Sequence, residues 1–134
     1  MSDMSDFDKI PIGFEMGPLE LLLDQEMVND YMQTAQWETT DVAQSHRYAP
    51  PGMTVVYHSR IKFQARPDLK AAIWAKTEHE FVKPLKMGST ISIRGRVIDK
   101  FVKKDRNYLV CEFETRDENG ELLMKSRETS LHLN

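Results

Sequence analysis

Asp117-Glu118-Asn119-Gly120 stands between two runs of alternating residues, Asn107 to Thr115 and Leu122 to Leu133. Asn-Gly supplies the positive φ values of a tight turn at little steric cost, so the three pieces read as an antiparallel hairpin. Towards the N-terminus, Thr90 to Phe101 alternates in the same way, with Ile91, Ile93, Val97 and Phe101 among its apolar members. Ala72 to Phe81 is a further strand, and Pro84-Leu85-Lys86-Met87-Gly88 turns the chain between those two. Four successive strands joined by short turns predict an antiparallel meander. Its edges need pairing or cover, which favours assembly of copies through the sheet.

Upstream the period changes. Pro50-Pro51-Gly52 opens a helix, because proline fits a first turn whose N–H groups have no partner. Met53, Val56, Tyr57, Ile61 and Phe63 give that helix an apolar face, and Arg66-Pro67 ends it. Trp37 to Tyr48 has no sustained period and reads as a loop. Before it, Asp24 caps a helix in which Met27, Val28, Tyr31, Met32 and Ala35 recur at helical spacing. Leu19 to Leu23 suits a short buried strand, and residues 1–17, broken by Pro11, Gly13 and Gly17, read as a partly flexible leader. A helix set against a long meander predicts one α+β domain over residues 1–134, its antiparallel sheet wrapped around a central helix.

Composition narrows the function. The 134 residues are 40% hydrophobic and 29% charged, with a net charge of −3 and scattered basic residues. That argues against a phosphate-tracking nucleic-acid surface. The single cysteine, Cys111, excludes an intrachain disulfide and reads as core filler. No Cys/His cluster has zinc spacing, so neither metal nor cofactor is implied. The acidic start and the lack of a long apolar run predict a cytoplasmic protein.

Two stretches carry a family resemblance: Pro50-Pro51-Gly52-Met53, and Phe81-Val82-Lys83-Pro84-Leu85-Lys86-Met87-Gly88-Ser89-Thr90-Ile91. Together with the closing hairpin they resemble the MaoC-like dehydratases, the (R)-specific enoyl-CoA hydratase branch of the hot-dog fold. The resemblance covers about residues 18–134 in element order. It implies a lyase that adds water to, or removes it from, an acyl-CoA or acyl-carrier thioester, working as a dimer or larger assembly. The family's water-handling loop lies between the first helix and the central one. In this sequence Asp41 and His46 have the spacing of its aspartate and histidine, which makes them the implied catalytic pair. Ala43-Gln44 stand where the family has Asn-Pro.

The chemistry supports that arrangement independently. Hydration of an α,β-unsaturated thioester puts negative charge on the carbonyl oxygen, and free N–H groups at a helix start stabilise it. Pro50 and Pro51 donate nothing, so Gly52 and Met53 offer the first amides. Trp37 and Tyr48 are candidate substrate-lining residues. His58, inside the central helix, reads as a packing or surface residue, and His79 and His132 fall in strands. Two other readings stay open: a non-catalytic hot-dog subunit that binds acyl-CoA beside a catalytic partner, and an acyl-CoA thioesterase. The latter wants a carboxylate on or opposite the central helix, and residues 53–63 contain none.

Overall fold

The structure is a computed structural model that describes residues 7–34, 48–49, 51–67 and 72–132. Strand β1 (Glu15–Leu22) leads into helix α1 (Gln25–Thr34). A two-residue strand β2 (Tyr48–Ala49) precedes a 3₁₀ turn (Pro51–Val55) that runs straight into helix α2 (Val56–Ala65). Strands β3 (Ala72–Phe81), β4 (Leu85–Lys86), β5 (Thr90–Lys103), β6 (Arg106–Arg116) and β7 (Leu122–His132) complete the chain. Asp24 caps α1 as expected, its Oδ1 accepting from the Met27 N–H at 2.8 Å.

The main sheet has the order β1-β5-β6-β7-β3, antiparallel throughout, so β1 and β3 are its edges. α1 starts where its apolar periodicity and the Asp24 cap place it, whereas β1 begins at Glu15, ahead of the apolar Leu19 to Leu23 run. Within the stretch read as a leader, Phe7 and Ile10 are buried in the core. The Asp117–Gly120 hairpin differs in detail from the expectation. Only Gly120 has positive φ, at 81°, and the Asp117 carboxylate accepts from the Asn119 and Glu121 amides. The loop is therefore a turn held by the aspartate, with glycine at the single left-handed position. At the other tight hairpin, Lys104 and Asp105 both have positive φ, 52° and 60°. Their sequence gives no glycine signal for it.

Opposed residues in neighbouring strands share a face, so the register defines rows across the helix-facing side of the sheet. One row runs Leu19, Ile93, Thr115, Met124, Phe81. The next runs Met16, Gly95, Phe113, Ser126, His79, and a third contains Val97, Cys111, Glu128 and Thr77. Ser130 and Trp74 belong to a fourth. In the second and third rows the β5–β6 part is small or apolar, and the row turns polar at Ser126 and Glu128 of β7 and more exposed at His79 and Thr77 of β3. The first row instead buries polar Thr115 and ends in Met124 and the exposed Phe81.

The buried face of α2 departs from the sequence reading. Met53 and Ile61 are core, but Val56 is 56% exposed. His58 and Lys62 take inward positions instead, continuing from Thr54 of the 3₁₀ turn. His58 and Lys62 are four residues apart, so they form one stripe along the helix.

Candidate functional site

The start of the central helix is pinned to the sheet's rim. Tyr48 pairs with Lys86 and Ala49 with Leu85, which fixes the chain just ahead of Pro51. The run predicted to be loop thus ends in a strand at Tyr48. Gly52 and Met53 follow in the 3₁₀ turn Pro51–Val55, whose i→i+3 bonds leave only its earliest N–H groups, such as that of Gly52, without a partner inside the helix. Met53 as a whole residue, backbone included, is 1% exposed. Leu85 also lines an apolar cleft of about 260 Å³, with Phe81, Pro84, Leu123 and Met124 among the other walls. One wall of the cleft, Leu85, is thus the strand partner of Ala49, three residues before Gly52. Depressions of about 390 Å³ on the other face of the sheet are lined mainly by charged and polar groups such as Lys76, Glu78 and Arg127. Asp41, His46 and Trp37 lie outside the described residues.

Behind the helix start lies a polar seam. His58 Nδ1 is 2.5 Å from Glu128 Oε2 of β7, with both side chains all but sealed from solvent. The carboxylate accepts from the ring's Nδ1–H. The imidazole lies flat on Phe113, centroids 4.4 Å apart and planes 4° from parallel. Gly95 makes room for that stack: a Cβ there would stand 2.5 Å from Phe113 Cε1. One turn further, Lys62 Nζ donates to Ser130 Oγ at 3.1 Å, and Ser130 Oγ lies 2.8 Å from His132 Nε2.

Burial dominates the electrostatics of this seam. It lowers the Lys62 pKa, against the pull of Cys111 and Glu128. Burial, reinforced by Lys62, pushes His132 down to about 4. Its ring is neutral near pH 7 and can accept the Ser130 proton on Nε2. Burial likewise pushes Cys111 up to about 12, which keeps it a thiol and suits a core role.

The sequence reading missed this cluster. Of the two roles expected for His58, packing or surface, the structure shows a buried and paired packing residue. Glu128 supplies a carboxylate opposite the central helix that inspection of residues 53–63 alone overlooks. Lys83 bonds Glu121 at 2.8 Å on the surface. The β3 edge stays open, with Ile73, Trp74 and Phe81 each more than 40% exposed. Among the described residues no helix is long and apolar enough to cross a membrane.

This element order, with a long antiparallel sheet curled on a central helix, defines a hot-dog α+β fold. Solved structures share it. The HadBC (3R-hydroxyacyl-ACP dehydratase) complex of Mycobacterium tuberculosis matches with a TM-score of 0.75 and 14% identity over 90% of this chain and 96% of that one. The (R)-hydratase of A. caviae involved in PHA biosynthesis matches with a TM-score of 0.75 and 12% identity, over 91% and 96% of the two chains. A hot-dog-like protein from Thermanaerovibrio acidaminovorans matches over 98% of this chain and 89% of its own, with a TM-score of 0.70 and 11% identity. No family sequence model matches the chain. No curated protein matches it by sequence either.

Proposed function

We propose that this protein is a hydratase or dehydratase of acyl thioesters, an enoyl-CoA or 3-hydroxyacyl thioester being its substrate. The observation that supports the reading is the pairing of Ala49, three residues ahead of Gly52, with Leu85, a wall of the apolar cleft. The Gly52 and Met53 amides would receive the thioester oxygen, where charge develops, and the cleft would receive apolar parts of the substrate. Asp41 and His46 would hold the water and move the proton, with Trp37 and Tyr48 lining the approach. The hydratase and dehydratase named among the structural neighbours support this chemistry on this fold.

The open β3 edge supports assembly. Its exposed Ile73, Trp74 and Phe81 would be covered by β3 of a second copy, which extends the sheet across a two-fold axis. The same edge suits a mixed dimer in which this chain supports a catalytic hot-dog partner, and the HadBC structure is a complex.

Assays of purified protein with enoyl-CoA substrates of increasing chain length test the reading. Hydration that disappears in Asp41→Asn, with thermal stability nearly unchanged, supports it. Release of free CoA thiol would instead mark a thioesterase. A protein that binds acyl-CoA without turnover would be the supporting subunit. Absence of both binding and turnover contradicts the proposal.

A further inference from the structure

The apolar cleft has buried walls on one side and exposed walls on the other. Leu85, Leu123 and Met124 are buried, whereas Phe81 and Val82 are 51% and 46% exposed. Phe81 ends β3, an edge strand of the main sheet, and Val82 follows it. The cleft is therefore open towards the edge that a second copy would cover.

The side chains of β3 decide how such a copy pairs. Trp74, Thr77, His79 and Phe81 lie opposite Ser130, Glu128, Ser126 and Met124, so they share the helix-facing side. The register shift between Trp74 and Lys76 keeps Trp74 on that side. Lys76, Glu78 and Glu80 point the other way. Two copies paired antiparallel about a two-fold axis set one residue against itself. An axis at Lys76 or Glu78 opposes like charges, and an axis at His79 sets Glu78 against Glu80. An axis at Thr77 instead sets Lys76 against Glu78 on both sides, with Ala75 bulged out and the whole strand paired. Across that axis Trp74 of one copy lies opposite His79 of the other and diagonal to Phe81, within reach of a long aromatic side chain. His79 is anchored there, its Nδ1 2.7 Å from Ser126 Oγ and its ring 6.3 Å from that of Phe81.

We propose that Trp74 of a second copy closes the open side of the cleft against Phe81 and so limits the acyl chain to a short one. The cleft is incomplete in a single chain. The inference rests on the thioester reading and on assembly through β3, and it adds the residue that sets chain length.

Thr77→Cys tests the axis. Its sulfur would meet its own counterpart, so mild oxidation should link the dimer, while Glu78→Cys should link far less; Cys111 is buried and does not compete. The linked Thr77→Cys dimer then keeps the copies together for calorimetry with two non-reactive CoA thioethers, S-butyl and S-decyl. It should bind the decyl compound no more tightly than the butyl one. Adding Trp74→Ala should make the decyl compound at least about tenfold the tighter, the gain from burying about two further methylenes. A dimer that links at Glu78 but not at Thr77, or a decyl preference with Trp74 in place, overturns the inference and leaves the thioester reading standing. So does a decyl-to-butyl ratio that Trp74→Ala leaves unchanged. Binding of neither thioether overturns both.

Discussion

The imidazole of His58 lies on the ring of Phe113 at 4.4 Å, and Phe113 in turn lies over Gly95, whose missing side chain leaves it room. A backbone position on β5 thereby sets where a titratable ring on the central helix can stand. Gly95→Ala should push Phe113 away and cost about 1–3 kcal/mol, as overpacking does. Urea unfolding measures the loss, and adding Phe113→Leu should recover part of it.

The Glu128 carboxylate binds that ring from the sheet. Glu128→Ala leaves the imidazole without its partner and should destabilise the fold by about 3 kcal/mol. A double-mutant cycle with His58→Ala checks that the loss comes from this pair. It should give a coupling above about 1 kcal/mol, and additivity would show that the two residues act separately.

His132 gives the fold a dependence on acid. Its folded pKa of about 4 lies below the ordinary 6.5, so between those values the unfolded chain binds more protons than the folded one. Its influence on stability is therefore level above about pH 6.5 and unfavourable as pH falls towards 4. Burial lowers the pKa of His79 too, with the same sign. His132→Gln should flatten the decline in melting temperature through that range, a change that calorimetry at several pH values would detect.

The exposed face of β3 yields a prediction about assembly. Sedimentation should find a dimer, and Trp74→Ser with Phe81→Ser should shift it to monomer by removing apolar area from the shared edge. A native monomer at high concentration would leave β3 to a different partner.

Much of this architecture was legible in the chain. β3, β5, β6 and β7 announced themselves by alternation, and Asp24 and Pro51 by the chemistry of helix starts. What escaped was which face of α2 is buried. Apolar residues suggested Val56, whereas His58 and Lys62, with Thr54 of the turn before them, point inward. Helical periodicity ranks side chains by hydrophobicity, but His58 and Lys62 are tolerated inside because their partners come from β7, 70 and 68 residues away. β7 misleads in the same way. Its Ser126, Glu128, Ser130 and His132 are buried, while Leu131 is only half-buried. The even spacing of polar residues in both elements was the available signal, and only pairing them across the fold reveals it. Asp41 and His46 stand on spacing and resemblance, since they lie outside the described residues.

The account depends on the start of the central helix receiving a thioester oxygen. Backbone amide resonances of Gly52 and Met53, followed by NMR during titration with a non-reactive acyl-CoA analogue that keeps its carbonyl oxygen, test this most directly. Both resonances should move downfield and saturate together with binding. Saturable binding that leaves both amides unmoved would place the ligand elsewhere and contradict the proposed site.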